Sequence, residues 1–196
     1  MNILVIGASG RVGNLLVEKL LQENHNVAGT TRQDEKLFDS SNYQQINLNL
    51  LGDLEEIENT IPNNLDAIYF VSGSRGKNLL QVDLHGAIKT MQIAEKKNIK
   101  RYIMLSSNFS LEPKRWNDKD LKDITNYNIA KHYADLWLIN NTAIDYTILQ
   151  PGPLKEINGS GKIKVNVENP GENAIENVVS TLVEVLNNPS ASKKVI

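Results

Sequence analysis

Three glycines, Gly7, Gly10 and Gly13, stand three residues apart in the stretch IGASGRVG, directly after the apolar run NILVI (2–6) and directly before a helical pattern. Glycine costs backbone entropy in any regular element, so a cluster of them at one junction requires a physical reason. At a strand-to-helix turn that reason is phosphate chemistry. The first glycine permits the tight turn, the second lets a pyrophosphate approach the backbone, and the third lets helix and strand pack closely. The free N–H groups at the start of the helix, in the stretch holding Ser9, Arg11 and Val12, then meet the phosphates with a partial positive charge. A second pointer lies in GTTRQ (29–33), which places Thr31 and Arg32 where an NAD site carries an acid for the ribose 2′-hydroxyl. The first acid, Asp34, comes later. Arg32, with Arg11 closing from the glycine loop, suits a 2′-phosphate, so the expected cofactor is NADP in preference to NAD.

These residues do chemistry only if strands and helices present them. NILVI reads as a buried strand, apolar throughout as a parallel sheet requires. Val12, Leu15, Leu16 and Leu20 follow at helical spacing. NVAGTT (26–31) is a second strand and YQQINL (43–48) a weaker third, while Asp53 and Glu56 form a capping-box signature before LEEIENTI. DAIYFV (66–71) is a fourth strand, followed by SGSRGK and a long helix carrying Leu80, Leu84, Ala87, Ile88, Met91 and Ala94. KRYIMLSS (100–107) and IDYTIL (144–149) are the fifth and sixth strands, separated by a polar loop over 108–120 and a helix marked by Ala130, Tyr133, Ala134, Trp137 and Leu138. After Pro151 the chain changes character: KIKVNV (162–167) reads as a strand, 174–187 as a helix and the terminal KKVI as a last strand. Strand alternating with helix implies right-handed parallel crossovers. The expectation is one α/β Rossmann-like doubly wound sheet over 1–196, in the order 3-2-1-4-5-6, with a small C-terminal lobe over 151–196.

Composition narrows the function classes. The 21 Lys and Arg against 23 Asp and Glu give a net charge of -2, without the basic stripe of a nucleic-acid binder. The absence of cysteine excludes disulfides, thiolate metal sites and cysteine nucleophiles. His25, His85 and His132 have no metal-ligand spacing, so no metal site is expected. No apolar run approaches the roughly 20 residues that span a bilayer, so the expectation is a cytoplasmic chain without membrane or nucleic-acid partners. No seam for a homodimer stands out, and that association is left open.

Five blocks together carry a resemblance: GASGRVG (7–13), DAIYFVSG (66–73), VDLHGAIKTMQIAEKKNIKRYIMLSS (82–107), YNIAKHYAD (127–135) and DYTILQPGPL (145–154). With its G-x-x-G-x-x-G spacing the chain resembles the short-chain dehydrogenase/reductase superfamily, in its atypical NAD(P)H-binding, NmrA-like branch. The resemblance implies a catalytic set. Tyr127 and Lys131 match Y-x-x-x-K, four residues apart and so on one helix face. A phenol of ordinary pKa near 10 is a poor base, and a nearby ammonium would stabilise its phenolate. Ser107 matches the serine that hydrogen-bonds a substrate carbonyl. Asp83 stands where the usual set has asparagine, as this branch tends to have it. By position, Ser72 and Gly73 pass under the cofactor, Asn49 in preference to Asn47 approaches the adenine, Lys131 holds ribose hydroxyls, and Gln150 and Pro151 flank the nicotinamide. The blander account of Tyr127 is a packed residue at a helix start. Trp116 is either a cover over substrate or a surface packing residue.

The implied function is NADP-dependent hydride transfer to a small carbonyl, quinone or flavin-like acceptor, with Tyr127 donating the proton. Two alternatives stand beside it: a non-catalytic NADP-binding module that regulates a partner, and a flavin- or biliverdin-type reductase that needs no tyrosine.

Overall fold

The computed structural model describes residues 1–169 and 171–196. Its central strand is β1 (Asn2–Ile6), where Ile3, Leu4, Val5 and Ile6 are all but sealed from solvent. A strand this apolar has to be covered on both faces, and it is. β1 pairs in parallel with β2 (Asn26–Thr31) on one side and β4 (Ala67–Phe70) on the other. β3 (Tyr43–Asn47) extends the sheet beyond β2. β5 (Arg101–Leu105) and β6 (Asp145–Leu149) extend it beyond β4. The order β3-β2-β1-β4-β5-β6 is the one the sequence implies, and a seventh short strand, β9 (Lys194–Val195), closes the β6 edge in parallel.

Alternate side chains of each strand feed two separate cores. Ile3 and Val5 join Leu16, Leu20, Val178 and Leu182 under α1 (Arg11–Gln22) and α5 (Ile175–Glu184). Leu4 and Ile6 join Ile57, Met91 and Leu138 under α2 (Leu54–Thr60), α3 (His85–Lys96) and α4 (Thr125–Asn141). Each such side chain contributes roughly 1.5–3 kcal/mol of burial. Asp53 and Glu56 form the expected capping box at the start of α2.

Three stretches differ from the sequence reading. The long helix from Leu80 begins as a six-residue π-helix, Leu79–Leu84, before α3; the wider turn carries Asp83 to a fully buried position. Lys162–Val167 forms no strand: Ile163, Val165 and Val167, its alternating apolar face, lie exposed because no sheet edge receives them. The small pair beside the main sheet is instead β7 (Leu154–Lys155) with β8 (Asn173–Ala174). The last helix is shorter than 174–187, its final turn tightening as the Leu186 N–H donates to the Val183 carbonyl.

Candidate functional site

The C-terminal ends of β1, β2 and β4 open onto one cleft of about 420 Å3. Gly7 takes φ +101°, and a Cβ there would come within 2.8 Å of the Ser72 Cα, so this turn accepts only glycine. A Cβ on Gly13 would overlap the Gly7 carbonyl oxygen, which is the close helix-to-strand approach expected of the third glycine. Gly10 caps α1 without a side chain, and the first helical bond runs from the Asn14 N–H to its carbonyl. The N–H groups of Arg11, Val12 and Gly13 therefore have no acceptor within the helix, and no acid sits in its first turn. That is an anion cradle.

The cleft gathers Gly7, Ser9 and Gly10 from the loop, Thr31 and Arg32 from the end of β2, Asn49 after β3, and Ser72 and Gly73 after β4. Arg32 is exposed and has neither hydrogen bond nor ion pair among the described residues. Arg75 and Lys77 add two more cations, and no acid among the described residues lines the cleft. The sequence reading missed both; the signal was the basic glycine-rich SGSRGK after the fourth strand. Asn49 faces the cleft, whereas Asn47 lines a different groove near α2. Arg11 does not close on Arg32: it pairs with Glu156 at 3.4 Å, in a neighbouring pocket. Val12 contributes its backbone while its side chain lies in the core. Gln150 also points elsewhere, its Nε2 donating to the Ser110 Oγ at 2.7 Å and to the Asp135 Oδ2 at 3.3 Å.

A second pocket, about 790 Å3, shares the Gly73 and Arg75 walls with the cleft and is lined by Tyr127, Asp83, Leu79 and Ile124. Both Asp83 oxygens accept from the Ser74 N–H, at 3.1 and 3.3 Å, fastening the loop that borders both spaces. Lys131, one turn along α4 from Tyr127, is buried with its ammonium 5.7 Å from the centroid of the Phe70 ring, at the end of β4. Burial pushes that ammonium below its ordinary value, against the pull of Asp135 and Asp83. Burial, then Asp83, then Asp135 push the Tyr127 phenol above its ordinary value, the opposite of the lowering a lysine partner implies. Ser107 donates to the Asn128 Oδ1 at 2.6 Å, both residues buried. Trp116 donates its indole N–H to the Phe109 carbonyl at 3.0 Å and meets His132 edge-on; it packs the 108–120 loop onto α4 and does not line the Tyr127 pocket.

Asp135 is the acid that sequence reasoning passed over. Fully buried, its Oδ2 accepts from the Ser106 and Ser110 hydroxyls at 2.6 Å each, while Oδ1 has no partner among the described residues. Its position four residues after Lys131 on a helix was the available signal. Among the described residues no group of three or more His, Asp and Glu side chains converges to hold a metal ion, and no helix is long and apolar enough to cross a membrane.

Comparison with known proteins agrees with this geometry. The solved oxidoreductase ylbE from Lactococcus lactis superposes with a TM-score of 0.93 at 39% identity, covering 100% of this chain and 89% of that one. YhfK of Bacillus subtilis, described as an uncharacterized sugar epimerase, is 34% identical over 83% of this chain and 77% of its own. The Saccharomyces cerevisiae protein YMR090W is 32% identical over 99% of this chain and 90% of its own. The NAD(P)H-binding family matches residues 7–189, from the glycine cradle through strands β2 to β6 to α5. The chain belongs to that NAD(P)H-binding family, with a Rossmann-like fold of the short-chain dehydrogenase/reductase kind.

Proposed function

We propose that the chain is an NADP-dependent oxidoreductase that passes hydride to a small carbonyl, quinone or flavin-like acceptor bound beside Tyr127. The carrying observation is that the Tyr127 pocket and the acid-free, three-cation cleft share the walls Gly73 and Arg75. A nicotinamide lying in the cleft would supply the hydride at that junction. The chain's own residues do the rest. The α1 N–H groups and glycine loop hold the pyrophosphate, Arg32 takes the 2′-phosphate, and Asn49 borders the adenine. Ser72 and Gly73 form the floor, Lys131 holds ribose hydroxyls, and Tyr127 donates the proton. Similarity to a solved oxidoreductase over the whole chain supports this reading.

The test is NADPH oxidation, followed by its absorbance, against a panel of quinones, flavins and aldehydes with Tyr127→Phe beside wild type. Turnover falling about a hundredfold or more in the variant, with NADPH binding retained, is the expected result. Undiminished turnover would take Tyr127 out of the chemistry and leave the tyrosine-independent flavin- or biliverdin-type reductase. One observation favours a non-catalytic NADP-binding regulator: the Ser107 hydroxyl is spent on Asn128 and not offered to an acceptor. That reading expects no turnover with any acceptor, and capture of a partner protein that depends on NADP.

A further inference from the structure

Lys89, on α3, is a charged side chain only 5% exposed, in a place an apolar one would fill at less cost. Its ammonium donates to the Leu50 carbonyl at 2.8 Å and to the Gly52 carbonyl at 2.5 Å. No backbone N–H reaches either oxygen among the described residues. One helical turn earlier, Gly86 lets α3 close on the same stretch: a Cβ there would stand 3.3 Å from the Leu50 Cβ. Lys89 itself does not line the cofactor cleft, but the chain it grips does. We infer that Lys89 is a positioning residue for the cofactor: by holding both carbonyls, its ammonium keeps the 49–52 turn, and with it Asn49, in the conformation that receives the adenine end.

The inference rests on the reading that sets the adenine beside Asn49, and it adds a residue outside the cleft on which binding depends. The turn is closed by bonds of its own. The Gly52 N–H donates to the Asn49 carbonyl at 3.0 Å, and the Leu51 N–H to the Asn49 Oδ1 at 3.1 Å. Those bonds fix the shape of the turn but tie it to nothing else in the fold. Leu48 and Leu50 are buried in the core, while Asn49 and Leu51 are exposed, and all four border the cleft. What the charge of Lys89 adds is a pair of charge-assisted hydrogen bonds between α3 and the turn. Without them two carbonyls beside the core lose their partners, and the turn swings towards water to find others. A turn that holds its binding conformation only about one-tenth of the time binds its ligand about tenfold more weakly.

The experiment compares wild type with Lys89→Met, which keeps an unbranched apolar stem and removes the donors, and titrates the cofactor whole and in parts. The ligands are NADPH, ADP-ribose for the adenine end and reduced nicotinamide mononucleotide for the other. NADPH and ADP-ribose are expected to bind about tenfold more weakly to the variant, and the mononucleotide as it does to wild type. Hydrogen exchange at the Leu51 and Gly52 amides should quicken, with that of β1 and α1 unchanged. Lys89→Gln, which keeps one donor group, replaces the first variant should it fail to fold, and a smaller loss with the same two ligands is then expected. Unchanged binding of ADP-ribose overturns the inference. So does an equal loss for both parts of the cofactor, which would make Lys89 a support of the fold alone. Failure of the underlying reading is separate: it would show in wild type, as ADP-ribose that does not displace NADPH, and would remove the inference with it.

Discussion

At the end of the second strand in a turn-and-helix unit of this kind, either an acid meets a ribose hydroxyl or a cation meets a phosphate. The proposed preference for NADP therefore rests on the type of one residue, Arg32. The exposed guanidinium, unpaired among the described residues and standing at the cleft, keeps that choice in place. Arg32→Ala is expected to weaken NADPH binding by about ten- to hundredfold, the worth of hydrogen bonds to a charged group, and NADH hardly at all. Fluorescence titration of both cofactors checks this; equal losses would place Arg32 away from the 2′-phosphate. Gly7 and Gly13 were legible in the sequence for the same reason, since a Cβ on Gly7 would meet the Ser72 backbone and one on Gly13 the Gly7 carbonyl oxygen, which leaves one residue type for each place. Arg75 and Asp83 were less so. Their roles depend on which pocket a loop or helix turn delivers them to, and one π-helical turn decides that for Asp83.

Among the elements, α4 carries the largest departure from what periodicity can tell. Asn128, Lys131 and Asp135 are all buried on it, and a hydrophobic pattern has no means of marking a polar core face. Strands β1 and β4 were readable as apolar runs that only a covered parallel sheet can accept, whereas β3, with only Tyr43 and Ile46 buried, was the weakest signal of the six. KIKVNV misled because alternation signals a strand only where a sheet edge receives it. The buried Asp135 also has a consequence for stability. Burial raises its carboxyl above the ordinary value, against the pull of Lys131 and of donors from Ser106, Ser110 and Gln150. The unfolded chain therefore loses this proton at lower pH than the folded one, and stability drains as pH climbs from about 4 through the folded value. Asp135→Asn keeps an oxygen for the two serine hydroxyls and removes the charge. Its melting temperature should match wild type at about pH 4 and exceed it at about pH 8. A variant less stable at both would mean that the ionised carboxylate is favourable where it lies.

At the scale of the whole molecule, the proposed cofactor site belongs to no single segment. It draws on the β1–α1 loop, the end of β2, the residues after β3 and the loop after β4, brought to one edge by the order β3-β2-β1-β4. An unfolded chain has no such edge, so a ligand in the cleft stabilises only the folded form. At a hundredfold excess over Kd that linkage is worth about 2.7 kcal/mol. For a chain of this size each kcal/mol moves the melting temperature by about 2–4 °C, so NADPH should raise it by roughly 5–10 °C. NADH at the same concentration should raise it less, because the 2′-phosphate that Arg32 would grip is missing. Calorimetric scans with each cofactor decide the matter. A larger shift with NADPH follows if the cation at the end of β2 selects the cofactor. Equal shifts would mean that the glycine cradle does the binding alone, and that Arg32, for all its exposure at the cleft, meets no phosphate.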